Sequence, residues 1–200
     1  MENHTISYKM PTIYSRFKVK NSVYIAARHI EADGKEIFHT EQADFDAFSK
    51  ESYQQLTVRY PKFFKMDPVC KLAMLAMHTL HTVCHQNCTY DPTTAVILAN
   101  KHSTWDNDLA HYQSIQTREA YFPSPAIFAY TLPNIAAGEI CIRYQLKGEN
   151  IFFVMDEPDW SFLVEYADNI LETTTARACL IGWADCALPH YQAIFFWIER

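Results

Sequence analysis

The spacing of apolar residues along the chain alternates between helix-like and strand-like periods. In the segment Val69–Val83, apolar side chains recur at steps of three and four residues, which predicts a helix with one buried stripe. Asp67 and Pro68 stand before it, as an N-cap and a first-turn proline do. A second clear helix is predicted over Pro133–Lys147, with Gly148 placed to end it.

Short apolar runs between the helices predict strands. The run Thr94–Ala99 is continuous, which is typical of a strand covered on both faces. The acidic stretch Glu36–Lys50 indicates a loop or a short helix, and His190–Ile198 indicates a last strand at a sheet edge. The other predicted elements are strands at Val23–Glu31, Ile151–Met155 and Ala178–Ala184, and helices at Asp106–Gln116 and Pro158–Leu171. Such alternation favours an α/β sheet with helices packed on it.

Composition narrows the range of functions. The chain has 200 residues and only four glycines, which excludes a G-x-G-x-x-G fingerprint and a P-loop, and it contains no G-x-S-x-G. Its formal net charge is −6 without a dense Lys/Arg cluster, so no nucleic acid is expected as a partner. Its apolar runs are too short for a bilayer and its first residues resemble no export signal, so we expect no membrane association. Six cysteines without a C-x-x-C pattern indicate a reducing cytoplasm.

Four successive segments resemble motifs of one enzyme family. Phe63–Ala73 (FFKMDPVCKLA) is similar to a helix start written M-D-R-x-x-x-L-A, and Ser124–Ile140 (SPAIFAYTLPNIAAGEI) to a stretch that ends in N-x-A-A-G. Ile142–Asn150 (IRYQLKGEN) resembles the continuation into a G-P-N turn, and Ala176–Asp185 (ARACLIGWAD) a strand written A-D-x-x-x-A-G-G-A-E. In this order and spacing the segments resemble the β-ketoacyl-acyl-carrier-protein synthases, over about residues 23 to 185.

The resemblance implies a fold and a set of motif residues. We expect residues 1–200 to form one domain, a three-layer thiolase-like half in which helices cover a mixed five-stranded sheet. Small residues before the glycine at 138 leave one helix face with almost no side chains, which allows close packing. The glycine at 148 can take the left-handed conformation of a helix end. Small residues around position 182 allow a strand to pack tightly. The motif residues carried over are Asn134, Ala137, Gly138, Gly148 and Gly182.

The family's nucleophile is a cysteine at a helix N-terminus, and the matching position here holds no cysteine. Counted from Gly148, the position falls on Glu157, and no cysteine occurs between Cys141 and Cys179. A carboxylate cannot form the thioester that condensation needs. The acids and proline of Asp156–Asp159 predict a helix start here, which makes Glu157 a cap or first-turn acid rather than a catalytic group.

The resemblance therefore implies a catalytically inactive, ketosynthase-like accessory subunit in fatty-acid- or polyketide-type biosynthesis. Its expected partners are a full-length ketosynthase or a second copy of itself, with an acyl carrier protein as a further candidate. No cofactor is expected. The second half of the family's fold, which supplies its histidines, is expected to be absent. The family's chain-length factors also lose the cysteine, although they keep both halves.

Two alternatives remain open. One is an enzyme of altered acyl chemistry, such as decarboxylation or acyl handling, that uses Glu157 or the histidines. The other is a metal-binding module: His78, His81, His85 and Cys88 recur at steps of three and four opposite the apolar stripe, and such ligands suit Zn²⁺ or Ni²⁺. A polar, exposed helix face that merely uses histidine is the simpler interpretation.

A second acid–histidine group follows the predicted strand Thr94–Ala99. Its members are His102, Asp106, Asp108 and His111, beside Ser103. A Ser–His–Asp triad is conceivable here, but neighbours along one helix seldom form one. Surface or interface residues are therefore the simpler interpretation.

Overall fold

The computed structural model describes residues 11–42, 44–84, 91–117 and 121–200. Its strands are β1 Lys18–Ala26, β2 His29–Ala32, β3 Lys35–His39, β4 Ala95–Asn100, β5 Asn150–Val154, β6 Ala178–Ala187 and β7 His190–Glu199. Its helices are α1 Phe45–Gln55, α2 Pro68–Cys84, α3 Trp105–Ile115, α4 Pro125–Ala129, α5 Ile135–Tyr144 and α6 Trp160–Thr173, with a 3₁₀ turn at Pro61–Lys65. No helix within these ranges has both the length and the apolar character that crossing a membrane needs.

The strands form one mixed sheet of seven, in the order β3-β2-β1-β7-β6-β4-β5. β4 pairs in parallel with β5 and with β6, and the other neighbours pair antiparallel. Helices α1, α2 and α5 pack on one face of the sheet, and α6 with residues 13–19 packs on the other. The predicted three-layer α/β fold is confirmed, although the described residues form seven strands in the sheet rather than the expected five.

The N-terminal region accounts for the additional strands. The predicted strand Val23–Glu31 is interrupted at Ala27 and Arg28, whose φ angles are 39° and 83°. Two residues with positive φ make a tight hairpin turn, so β1 and β2 are separate antiparallel strands. Such turns usually contain Asn or Gly, and because this turn contains neither, the sequence did not indicate it. The stretch Glu36–Lys50, expected to be a loop or short helix, contains most of β3 and the start of α1.

The position of the last strand also differs from the prediction. β7 lies at the centre of the sheet between β1 and β6, so the predicted edge position is wrong. Eight of its ten residues are buried, because helices cover both of its faces. Phe195 packs on the α2 side and Phe196 on the α6 side, as successive residues of a strand do.

The end of α5 depends on two different residues. The left-handed residue that caps the helix is Gln145, with φ 58°, so the prediction that Gly148 supplies this conformation is wrong. Gly148 has a steric role instead, because an added Cβ would overlap the carbonyl oxygens of Thr93 and Thr94. Glycine at this position lets the chain entering β5 pass close to the chain entering β4.

Candidate functional site

The junction between β5 and α6 is the place where the family resemblance puts the nucleophile. β5 ends at Val154 and α6 begins at Trp160. Asp159 caps the helix, since its Oδ1 accepts a hydrogen bond from the Phe162 N–H at 3.0 Å. Glu157 is exposed and lies two residues before this cap. The prediction that Glu157 is a cap or first-turn acid is therefore wrong, because Asp159 takes that position and the first turn of α6 contains no acid.

No described cysteine lies at this junction. The five described cysteines lie in α2, α5 and β6: Cys70, Cys84, Cys141, Cys179 and Cys186. Burial raises the pKa of Cys141 to about 11, and it also raises the pKa of the two β6 thiols. Their reactive thiolate forms are therefore disfavoured at neutral pH. Cys88 lies outside the described residues.

Cys70 is placed where a helix could activate a thiol, in the first turn of α2. It is buried, and burial together with the neighbouring Asp67 carboxylate raises its pKa well above the usual range. Asp67 is itself buried and accepts the Cys70 backbone N–H at 2.8 Å, so it caps α2 as predicted. The helix terminus thus stabilises Asp67, and the thiol stays protonated.

A histidine–carboxylate pair lies at one end of the sheet. His102 Nδ1 is 2.8 Å from Asp185 Oδ2, and because a carboxylate can only accept, Nδ1 carries the proton and donates it. The other oxygen of Asp185 accepts the backbone N–H groups of Lys101 and His102, each at 3.0 Å. These bonds fix the orientation of the imidazole, and a neutral imidazole that donates through Nδ1 can accept a proton at Nε2.

The turn that carries His102 is held by a second residue. Asn100 is fully buried at the end of β4, and its side chain donates to the Ser103 carbonyl at 2.8 Å and accepts the Ser103 N–H at 2.9 Å. Ser103 has a φ of 52°, a left-handed conformation that a non-glycine residue adopts only when its surroundings enforce it. His102 is therefore a positioned group on a rigid turn.

The carboxyl ends of the parallel strands β4, β5 and β6 meet at this edge. The Met155 N–H donates to the Asn100 carbonyl at 2.9 Å, so the β5–α6 junction starts beside the turn that carries His102. Asp185 lies on β6, two residues after its last pairing with β4. In open α/β sheets, functional groups gather at the carboxyl ends of strands. The structure thus brings the His102–Asp185 pair and the Glu157 segment to one edge.

The first group of candidate metal ligands does not form an exposed face. His78 Nε2 lies 3.0 Å from the Leu56 carbonyl and Nδ1 lies 3.3 Å from the Tyr144 hydroxyl, so both ring nitrogens are engaged. The His81 ring packs against Tyr144, with 5.0 Å between centroids. The expectation of a solvent-exposed histidine face is wrong, because α1 and α5 pack there. His85 and Cys88 lie outside the described residues, and among those described no three His, Cys, Asp or Glu side chains could share a metal ion.

The second acid–histidine group is divided between two environments. His102 pairs with Asp185, which is 83 residues away, rather than with Asp106 or Asp108. His111 instead packs its ring against Phe128 of α4, at 5.3 Å between centroids. Sequence reasoning missed Asp185 as a site residue, although it ends the Ala176–Asp185 motif at the position where the family has glutamate. The motif therefore contained the information that could have identified Asp185 as a site residue.

The motif residues serve packing in different ways. An added Cβ at Gly182 would lie 2.6 Å from the Phe195 ring and 2.9 Å from Leu98, so β6 needs glycine here. Ala137 is fully buried against the sheet. Gly138 has open space around an added Cβ, which contradicts the close approach expected at this position. Asn134 precedes α5 as its N-cap residue but makes no side-chain capping bond.

β5 is an open edge of the sheet among the described residues. At its two ends, the Glu149 carbonyl and the Met155 N–H each bond to β4 at 2.9 Å. Backbone groups of successive strand residues point to opposite sides, so the N–H and C=O groups of Asn150, Phe152 and Val154 point away from β4. This edge therefore presents three outward pairs of backbone groups that another strand could use.

Exposed apolar side chains concentrate on α3, α4 and the residues beside them. Neither helix contains a buried residue. They contact each other through the His111 and Phe128 rings, and the Phe122 N–H donates to the Ser114 carbonyl at 3.0 Å. We call this region the α3–α4 surface, and its large exposed apolar residues are Trp105, Leu109, Tyr112, Tyr121, Phe122, Phe128 and Leu132. This region is a candidate contact surface for another molecule.

Solved structures with the same fold are ketosynthase and chain-length-factor proteins. The first is described as the ishigamide ketosynthase/chain length factor, with a TM-score of 0.66 and 17% identity over 91% of this chain and 61% of that one. The second is the ketosynthase ApeO in complex with its chain length factor ApeC from Xenorhabdus doucetiae, with a TM-score of 0.61 and 13% identity over 92% of this chain and 79% of that one. The third, AntDE:AntF, is a type II PKS acyl-carrier protein in complex with its ketosynthase bound to the hexaketide, with a TM-score of 0.61 and 11% identity over 94% of this chain and 63% of that one.

These similarities define the fold of the chain. It has the thiolase-like fold of the ketosynthase and chain-length-factor proteins, as the motifs predicted, and it spans 61% and 63% of the first and third of these structures. No family model matches the chain, and a search of the curated proteins finds no match either.

Proposed function

We propose that this chain is a non-catalytic subunit that pairs with a ketosynthase, in the manner of a chain-length factor, in polyketide- or fatty-acid-type biosynthesis. The observation that carries the proposal is the β5–α6 junction. The fold is that of ketosynthase and chain-length-factor proteins, yet the junction that should hold a nucleophilic thiol carries Glu157, and Asp159 caps the helix that follows. Without a thiol at this tip, the thioester that starts condensation has no place to form.

The open β5 edge supports pairing with another chain. Its outward backbone groups can accept an additional strand, and exposed apolar side chains flank it in all three layers: Ile142 of α5, Val154 of β5 and Phe162 of α6. An open edge with apolar flanks is unfavourable for a protein that works alone. A partner strand would satisfy the backbone groups and cover the side chains together.

Further features belong to the same proposal. We treat residues 1–200 as one domain of the complex. One similar structure contains a ketosynthase with its chain length factor, and another contains a ketosynthase with an acyl-carrier protein. A ketosynthase is therefore the first partner to test, and a carrier protein is the second. Cys70, Cys141, Cys179 and Cys186 are free thiols, which fits a reducing cytoplasm.

The proposal is tested by mixing the purified chain with each ketosynthase of its own genome. Light scattering after size-exclusion chromatography should detect a complex of one chain with one ketosynthase. Val154→Pro should weaken this complex at least about tenfold, because the Val154 N–H points outward and proline blocks an added strand without removing a bond to β4. Val154→Thr is the matched control and should pair normally. A chain that binds no ketosynthase contradicts the proposal.

A second candidate function is favoured by the His102–Asp185 pair. It is a hydrolase of acyl thioesters, in which Nε2 of His102 takes a proton from water while the water oxygen attacks the thioester carbonyl. The thiolate that leaves takes the proton back, so the products are a carboxylic acid and a thiol. Glu157 lies at the same edge and is the second group to test.

This second candidate is tested with malonyl- and acyl-carrier protein as substrates. His102→Gln and Asp185→Asn should each abolish or strongly reduce thioester loss, and Glu157→Gln measures any part played by that carboxylate. His39 is an exposed histidine on β3, and His39→Gln is the control. Absence of turnover by the unmodified chain would remove this candidate.

A further inference from the structure

We propose that a groove beside α6 binds a small, free organic cation that carries an alkylated ammonium group. The inference goes beyond the proposed function and concerns the isolated chain. Three observations carry it: the aromatic rings that line the groove, the two carboxylates beside these rings, and a described lining that contains no Lys or Arg.

The groove lies on the exposed side of α6, near the start of β5. Its volume is about 430 Å³, which is within the usual size range of a small-molecule site. Phe162, Glu165, Tyr166 and Asn169 of α6 line it, together with Glu149, the residue that precedes β5. The lining therefore combines aromatic surface with carboxylate groups.

The aromatic rings of the groove are held in place by β5. Phe162 and Tyr166 lie one helical turn apart, with 6.2 Å between ring centroids. Phe153 of β5 packs against both rings, at 5.0 Å and 5.4 Å, with the planes inclined at 78° in each pair. Phe162 nevertheless remains 40% exposed, so aromatic surface is open to a ligand. The faces of such rings attract cations, and clusters of them bind quaternary ammonium groups.

Two carboxylates lie beside these rings. The Tyr166 hydroxyl donates to Glu149 Oε1 at 3.0 Å, which holds this carboxylate close to the ring. Glu165 is exposed and directly precedes Tyr166 on α6. Within the described part of the chain, no Lys or Arg pairs with either carboxylate, and none lines the groove. The groove thus carries two negative charges that a cation would balance.

A second cavity on α6 lacks this combination. Its volume is about 310 Å³, and it also borders Glu165. Arg16 lines it and pairs with Asp168 at 3.3 Å and with Glu172 at 2.5 Å. This guanidinium offsets the negative charge there and would repel another cation. The groove of about 430 Å³ is therefore the better site for a positively charged ligand.

The same carboxylates select a free compound over a lipid headgroup. The ammonium group of a choline phospholipid is followed within a few bonds by a phosphate, which Glu149 and Glu165 would repel. A free alkylated ammonium compound carries no such anion. Its alkyl groups also suit the aromatic lining better than a primary ammonium group does, because a primary ammonium group is strongly hydrated.

The test is a chemical-shift titration of the isotope-labelled, isolated chain. No partner is added, because Phe162 also borders the β5 edge that the proposed function assigns to a ketosynthase. Choline is the probe, and its uncharged analogue, in which carbon replaces the nitrogen, has the same shape. Choline should bind at least about tenfold more tightly than this analogue and should shift the amide signals of α6. Phosphocholine should bind more weakly than choline.

Substitutions in the groove locate the site. Tyr166→Leu removes a ring and Glu165→Gln removes a charge, and each should weaken choline binding about fivefold or more. Tyr166→Phe keeps the ring and should lose less than Tyr166→Leu. Tyr14→Leu and Glu36→Gln are the matched controls, since both residues are exposed and lie outside the groove, and they should leave the Kd unchanged. Circular dichroism and thermal unfolding establish that each variant folds.

Each contrary result overturns a different part of the inference. If choline does not bind, or binds no more tightly than its uncharged analogue, the cation site is wrong. If neither Tyr166→Leu nor Glu165→Gln weakens binding, choline binds elsewhere and the groove is wrong. If phosphocholine binds more tightly than choline, the ligand carries a phosphate and the free cation is wrong. These outcomes are independent of whether the chain pairs with a ketosynthase.

Discussion

Helices α2 and α3 start at the same carboxylate but use their apolar residues in opposite ways. Asp67 accepts the Cys70 N–H of α2 through Oδ1 and the Asn107 side chain of α3 through Oδ2. Eleven of the 17 residues of α2 are buried, whereas none of the 11 residues of α3 is. The apolar residues of α2 therefore contribute to folding, and those of α3 are available for binding.

This comparison explains why pattern alone predicted both helices but not their environments. Each has apolar residues at steps of three and four, and this spacing reports a helix with an apolar side without reporting what covers that side. α2 lies between the sheet, α1 and α5, so its histidine side is also packed. α3 follows β4, the strand next to the β5 edge, and packs mainly against α4. Topology, which depends on distant residues, makes the difference.

The largest expected effect is in α2. Leu75 is fully buried, and Leu75→Ala should lower the free energy of unfolding by about 2–5 kcal/mol because it leaves a cavity in a packed core. Urea denaturation followed by circular dichroism measures the change. A loss below about 1 kcal/mol would mean that the core relaxes around α2 and that the two helices differ less than the burial indicates.

A smaller effect is expected at the residue that the helices share. Asp67→Ala should lower the free energy of unfolding by about 0.5–2 kcal/mol, because it removes the cap of α2, and it should also speed amide exchange in the first turn of α3. Hydrogen exchange measured by mass spectrometry reports both helices at once. Asn107→Ala is the matched variant and should speed exchange in α3 alone. Faster exchange in α2 with Asn107→Ala would contradict the separate roles of the two oxygens.

The packed histidine side of α2 should make stability depend on pH. Burial lowers the pKa of His78, so the unfolded chain takes up a proton at a higher pH than the folded chain does. The stabilising contribution is complete above the ordinary histidine pKa of about 6.5 and is lost as the pH falls through the lower folded value. Urea midpoints at pH 7.5, 6.5 and 5.5 should fall for the unmodified chain and fall less for His78→Gln. The exposed His39 gives the control His39→Gln, which should keep the full pH dependence.

The smallest effect is expected on α3. Leu109 is 41% exposed, and Leu109→Ser should change the free energy of unfolding by about 0.5 kcal/mol or less. The same urea experiment as for Leu75→Ala gives a direct comparison. A loss above about 1.5 kcal/mol would mean that the apolar residues of α3 support the fold as those of α2 do.

Much of the fold could be predicted because its signals are local. The Asp67–Pro68 start of α2 and the continuous apolar run that forms β4 need only neighbouring residues to be recognised. The hairpin turn at Ala27 and Arg28 could not be predicted, since neither residue favours positive φ. The central position of β7 depends on β1, which is more than 160 residues earlier, so no local pattern reports it.

The candidate site was predictable in one part only. The absence of cysteine at the position of Glu157 is a property of the sequence and of its family register. The pairing of His102 with Asp185 depends on β4 and β6 being parallel neighbours, which only the folded sheet determines. The assignment of the cap to Asp159 rather than Glu157 depends on which residue starts α6, and the nearby acids Asp156, Glu157 and Asp159 leave that choice open.

The central place of β7 has a consequence for how the protein is made. β7 joins the β1–β3 meander to the β6, β4 and β5 group, so during synthesis the two parts of the sheet have no strand between them until residues 190–199 leave the ribosome. Until then β1 and β6 each present an unpaired apolar edge. The nascent chain should therefore depend on chaperones until β7 has been made, and a chain that lacks β7 should aggregate rather than yield a smaller folded protein.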